Sequence, residues 1–225
     1  MQTQDEMMLE RLDQEIRRQI PGYETLSKQK SDWMKAAAAV VWLFNRRFME
    51  HFGTTMYPKV FVPESWFQNV RLLWTVLAHE FVHLLHTKQK GTWPHRLAYI
   101  FPQILAVLSV FGFLGIWLGW GWYFCFAFLL CLAPLPAPFR AAEEVAGYRM
   151  TLAVLYWMNG RIEDEDVEFV CNQFTGPGYY FMMPFKGYVR SLIEKECDRI
   201  VNNEYDHVYP YSFVRKAIQD VFHTP

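Results

Sequence analysis

Between Arg96 and Arg140 the chain runs for 43 residues without a single Asp, Glu, Lys, Arg or His. That is too long for one buried helix of an ordinary globular domain. The run therefore belongs against lipid or inside an unusually apolar interface, and the alternative to lipid is a buried hairpin within a larger assembly. It begins near Pro94 and carries Gly112, Gly115, Gly119 and Gly121 about its middle, where a chain reversal is favoured. Two helices of about 15 to 20 residues result, each near the minimum for crossing a bilayer. The expectation is a hydrophobic helical hairpin inserted at about 97–133, closed by Pro134, Pro136 and Pro138.

A chain of 225 residues allows one functional unit but is short for two independent cores. With 22 Lys+Arg against 23 Asp+Glu there is no basic field to attract nucleic acid. Cys125, Cys131, Cys171 and Cys197 are widely spaced, two of them inside the apolar run, so they suggest no disulfide framework and no Cys-rich zinc knuckle. The N-terminal stretch Met1–Arg18 is polar and lacks the apolar core and cleavage site of a secretory signal.

The remaining pattern is mainly helical. A charged helix is expected from about Gln4 to Ile20, ending at Pro21-Gly22, and Ser31-Asp32 can cap a second one reaching about Phe52. Gly53-Thr54-Thr55 breaks that helix, and Tyr57–Val62, apolar in alternation and bounded by Pro63, reads as a short edge strand. A long helix follows from about Phe67 to Gly91, with Leu72, Leu73, Val76, Leu77 and Phe81 as apolar positions. Beyond the hairpin come a helix from Arg140 to Asn159 with Gly160 as its cap, an acidic helix start at Glu163–Glu168, a turn at 175–178, and helices at about 184–202 and 211–222. This divides the chain into N-terminal helices (1–56), a core with the hairpin (57–160) and a C-terminal helical region (161–225).

The chemistry sits in His79-Glu80-Phe81-Val82-His83. On a helix the two histidines lie about 40° apart around the axis, so both imidazoles can reach one ion. Glu80 stands beside them, free to take a proton from an attacking water. Zinc held by two histidines still needs a third protein ligand to make a catalytic site. His86 shares the helix face but lies roughly 10 Å along the axis from His79, too far to join at one ion. Glu143 and Glu144 are better candidates, because carboxylates in the otherwise apolar segment Ala141–Tyr148 are costly to bury unpaired. Tyr148, Tyr179, Tyr180 and His207 could each donate to an oxyanion, but in so aromatic a chain they are as well explained by packing.

This arrangement resembles the gluzincin metallopeptidases, in which a later helix supplies a glutamate within an E-x-x-A-D pattern. Glu144-Val145-Ala146-Gly147-Tyr148 matches it with Gly147 in the alanine place and Tyr148 in place of the aspartate. The resemblance therefore implies a zincin-like metallopeptidase core in which His79, His83 and Glu144 hold Zn2+ and Glu80 is the catalytic base, while the family's usual supporting carboxylate is missing. The layout, with hydrophobic helices between the histidine motif and the glutamate, is closest to the membrane-bound HtpX and CAAX-prenyl-protease branch and covers about Tyr57 to Tyr148. Site-2-type proteases are excluded by the lack of any Asp-Gly.

For His83 and Glu144 to meet at one ion, the hairpin must leave and return on the same side. Lys88, Lys90, Arg96, Arg140 and Arg149 flank its base, which places the metal site on the cytoplasmic side of a membrane. The expected function is a membrane-associated zinc metallopeptidase acting on a peptide or protein substrate. The alternative is a zincin-like structural component of a larger assembly such as a virion, which would close the fourth metal position with a side chain from the C-terminal third.

Overall fold

The computed structural model describes residues 2–41, 48–133 and 135–222, and among these the chain is mainly helical with one three-stranded sheet. The first helix, α1 (Gln4–Gln19), is closed by a capping box in which the Thr3 hydroxyl accepts from the Glu6 amide and Glu6 accepts from the Thr3 amide. Its inner face, Met8, Leu12 and Ile16, is fully buried. Strand β1 (Glu24–Ser27), helix α2 (Asp32–Val41) and the one-turn α3 (Phe48–His51) follow. The expected second helix to Phe52 is thus present at both ends, and its middle lies outside the described residues.

Strands β2 (Thr54–Met56) and β3 (Lys59–Val62) complete the sheet, in the order β1-β3-β2, with β1 parallel and β2 antiparallel to β3. This corrects the expected edge strand at Tyr57–Val62. Its second half is the central strand, buried at Val60, Phe61 and Val62, while Tyr57 and Pro58 form the turn before it. Thr54 and Thr55, read as a helix break, are β-branched residues suited to a strand. β1, with one apolar residue in four, gave no local signal.

Helix α4 (Val70–Lys90) is the spine of the molecule. Asn69 caps it by accepting from the Leu72 amide at 3.0 Å. Leu73, Trp74, Leu77, Ala78, Phe81, Val82, Leu84 and Leu85 are all buried, so the helix is apolar on most of its circumference, as a central helix must be. It packs against α1 on one side. On the other it meets α7 (Pro138–Asn159), reached through α5 (Thr92–Tyr99) and the hairpin.

The hairpin is present as two 3-10 arms, Gln103–Leu114 and Trp120–Leu132, with a turn of helix, α6 (Gly115–Leu118), and a reversal at Gly119 whose φ is +109°. Gly112 and Gly115 face Phe126 and Tyr123 so closely that a Cβ would fall within 3.0 Å of the rings, which explains glycine at both places. The outer surface is bare: Val107, Ile116, Trp117, Leu118, Trp120, Phe124 and Leu130 are each more than 60% exposed. No helix among the described residues is long and apolar enough to cross a membrane by itself, and α5 meets the first arm at a bend of 85°.

After α7, which begins with Pro138 in its first turn and ends at left-handed Gly160, come α8 (Asp164–Thr175), α9 (Lys186–Val201) and α10 (Tyr211–Phe222). The acidic start of α8 is a capping box between Glu163 and Asp166.

Lys28, one residue past β1, is fully buried, with its amide bonded to the Val62 carbonyl and its ammonium to the Phe48 carbonyl at 2.9 Å. Burial pushes its pKa down to about 7, against the pull of Glu80. Unfolded, the same group keeps its proton to about pH 10. The unfolded chain therefore binds the extra proton between pH 7 and 10, and stability rises with pH across that window. Relative to Lys28→Met, the wild type should gain about 1–3 kcal/mol between pH 7 and pH 10 in urea titrations. Parallel curves for the two proteins would show that the ammonium is not desolvated.

Candidate metal centre

The site forms where α4 and α7 cross. His79 and His83 present their Nε2 atoms 3.1 Å apart, and Glu144 Oε2 from α7 lies 3.8 Å from His79 Nε2. One ligand atom from each of the three side chains falls within 4.8 Å of the others, and all three residues are buried. Tetrahedral zinc with bonds near 2.1 Å separates its ligand atoms by roughly 3.3 Å, so a small adjustment would bring the three into register.

His79 and Glu144 are held from behind. His79 Nδ1 lies 3.1 Å from the Thr151 hydroxyl, which itself donates to the Gly147 carbonyl, so Nδ1 carries the proton and Nε2 keeps its lone pair for the cavity. Glu144 Oε1 accepts from the Tyr99 hydroxyl at 2.6 Å. Glu144 Oε2 is buried with no hydrogen-bond partner among the described residues, an orphaned acceptor facing two imidazoles. Such an atom is what a cation would satisfy, and the donor set of two imidazoles and one carboxylate suits zinc.

Burial opposes charge on all three ligands. For Glu144 the neighbouring imidazoles and Tyr99 outweigh it and hold the carboxyl below its usual range. His79 is raised, because Glu144 and Glu80 outweigh its burial, whereas burial prevails at His83 and lowers it. The shifts at His83 and Glu144 run towards the neutral imidazole and ionised carboxylate a metal requires, whereas the shift at His79 runs the other way, so binding an ion there would displace a proton.

The approach of the two helices depends on Gly147. A Cβ there would collide with the His79 ring at Nε2. The alanine of the gluzincin pattern would therefore force the His79 ring to move, and glycine leaves it in place. Tyr148, in the aspartate place, stands edge-on to His79 with ring centroids 4.8 Å apart. It supplies packing where a carboxylate would supply a hydrogen bond, and Thr151, one turn further on, takes over the Nδ1 contact.

Glu80 lies beside the cluster. Its Oε2 accepts from the Thr55 hydroxyl of β2 at 2.5 Å, and Gly53 leaves room for Oε1 where any Cβ would clash. Glu143 turns away to His86, 2.6 Å from its Nδ1, and to Lys90. Burial pushes its carboxyl up, but those two partners prevail and bring it to about 2. His86 is therefore a hydrogen-bond partner of Glu143 and lies outside the His79, His83 and Glu144 cluster. Tyr179 and Tyr180 line the cavity, Tyr148 bonds to Tyr179 through their hydroxyls, and His207 is exposed elsewhere.

The cavity in front of these groups measures about 630 Å³. Phe52, Met56, Tyr57, Ile100 and Leu132 give it apolar walls, and Phe52 meets Tyr179 edge-on across it at 5.4 Å. Tyr99 and Thr151 are not among the candidate site residues in the sequence, and Gly53 and Thr55 stand there only as a helix break. Only Thr151 left a signal there: it follows Glu144 by seven residues, two helical turns along the same face. No protein-family model, curated protein or solved structure matches this chain.

Gly147→Ala should weaken zinc binding roughly 10–100-fold, and Thr151→Val by a similar factor, through displacement and loss of orientation of His79 respectively. Competition against a chromophoric chelator would measure both. Unchanged affinity in Gly147→Ala would mean that the helices have room to part.

Proposed function

We propose that the protein is a membrane-associated, zinc-dependent metallopeptidase with a zincin-like core. The observation that carries this reading is the unpartnered Glu144 Oε2 converging with the Nε2 atoms of His79 and His83 at the wall of an open cavity. His79, His83 and Glu144 would hold the ion, which when bound supplies Lewis acidity towards a carbonyl and towards water.

Glu80 takes the proton of the attacking water and passes it to the leaving amine. Thr55 fixes the carboxylate for this by donating to one oxygen and leaving the other for the cavity. The edge of β2 turned away from β3 has no strand partner among the described residues, and Thr54, Thr55 and Met56 line the cavity. An extended peptide can add there through backbone hydrogen bonds, with its scissile bond carried past Glu80. The bare apolar hairpin and the cationic residues at its base support attachment to a membrane with the site on the cytoplasmic side.

The structural alternative calls for a fourth protein ligand from the C-terminal third. Among the described residues the cluster comprises three, and from that third Tyr179 and Tyr180 form cavity wall.

Purified in detergent without added metal, the wild type should carry one equivalent of zinc by mass spectrometry, and Glu144→Ala should lose it. Glu80→Gln should keep the zinc and lose hydrolysis of a peptide mixture by at least about a hundredfold. A zinc-free wild type, or a fully active Glu80→Gln, would sink the proposal.

A further inference from the structure

The cavity has a second polar end. Arg96 of α5 and Arg140 of α7 both line it, and among the described residues neither pairs with a carboxylate. Arg96 donates only weakly, to the Tyr57 carbonyl at 3.5 Å. Arg140 donates to the Tyr99 carbonyl at 3.0 Å and to Gln103 Oε1 at 3.3 Å. Guanidinium groups offer five donors each, so both retain unused ones.

Gln103 adds a further donor. Its Oε1 is committed to Arg140, and reversing the amide would set an NH2 group against the guanidinium, so the network fixes the orientation. Its Nε2 is then buried without a partner in a residue that lines the cavity. Two guanidinium groups stacked on Trp93 and Tyr99 but without a carboxylate among the described residues, and an amide N–H with no acceptor there, make a set of donors in a largely apolar wall that lacks an anionic acceptor.

We propose that this end of the cavity is a subsite for a substrate carboxylate, held by Arg96, Arg140 and Gln103 while the bond to be cut lies at the His79, His83 and Glu144 end. The inference rests on the hydrolase reading above and names the class of peptide it would take. Arg140 precedes Glu144 by one helical turn, about 6 Å along α7. Tyr99 bridges them, with its hydroxyl on Glu144 and its carbonyl on Arg140. An extended peptide advances about 3.3–3.6 Å per residue, so the carboxylate sits about two residues from the scissile bond. It belongs either to an Asp or Glu side chain or to the peptide's C-terminus. A lipid phosphate would suit the same donors, but these residues line the cavity they share with the metal ligands, which favours the peptide.

The test uses zinc-loaded Glu80→Gln protein in detergent, so that binding is read without cleavage. Two pools of random eight-residue peptides lacking Asp and Glu, one ending in a free carboxylate and one amidated, are offered together with an amidated pool carrying Asp and Glu. Retained peptides are identified by mass spectrometry. Retention of either carboxylate-bearing kind about tenfold or more above the amidated neutral pool is expected, and which kind is retained identifies the source. Adding Arg96→Gln and Arg140→Gln should abolish that preference while zinc content and circular dichroism stay unchanged.

Equal retention of all pools, or a preference that survives both arginine substitutions, would overturn the subsite. So would a loss confined to binding of phosphatidylglycerol vesicles, which would assign the arginines to lipid. The hydrolase reading fails separately, on zinc content and wild-type cleavage.

Discussion

The site depends on two helices lying close enough for a carboxylate on one to reach imidazoles on the other. Gly147 makes that possible, since the His79 ring occupies the space a side chain would need. The contact is reinforced around its rim: Thr151 anchors the same imidazole, Tyr148 packs on its edge, and the Tyr211 hydroxyl of α10 donates to the Ala146 carbonyl at 3.0 Å. The cost is electrostatic. Burying an ionised carboxylate without full compensation is worth several kcal/mol against folding. Tyr99 satisfies one oxygen of Glu144 and leaves the other bare. A cation at that point would remove the penalty, which is the electrostatic argument for the proposed metal.

Two adjacent glutamates on α7 show how helical phase separates structure from chemistry. Consecutive residues point about 100° apart. Glu143 thereby meets His86 and Lys90 and ties α7 to the end of α4, while Glu144 meets the cavity. The first pairing supports the second, because it pins the two helices one turn away from the cluster of His79, His83 and Glu144.

The parts of this arrangement that follow from local pattern were legible in the sequence. Spacing alone put His79 and His83 on one face, the acidic run located the start of α8, and Gly160 marked the end of α7. Choosing Glu144 over Glu143 needed the family pattern, since both stand in the same apolar segment and only the helix's rotation against α4 separates them. What stayed hidden was non-local. β1 pairs with residues 35 positions later in the chain, Glu24 opposite Lys59, so nothing near Glu24–Ser27 announces it. That omission is why β3 was expected at an edge. Tyr99 was concealed differently, as one aromatic among many in a stretch read only for its lack of charge.

That stretch belongs to the site as well as to the surface. Gln103 and Leu132, at the feet of the two arms, line the cavity, and the Tyr180 hydroxyl bonds to the Leu132 carbonyl. Whatever surrounds the hairpin thus fixes one wall of the pocket. At about 2 Å per residue, the 13-residue return arm reaches roughly 26 Å, against a bilayer core of about 30 Å. On the membrane reading proposed above, an arm standing along the bilayer normal would lay α5 in the interface, because the two meet at 85°. Trp93, an exposed indole in the first turn of α5, suits that layer. The cavity, walled by Arg96 and Tyr99 of this same helix, would then open at the level of the headgroups, where a peptide leaving the membrane first meets water.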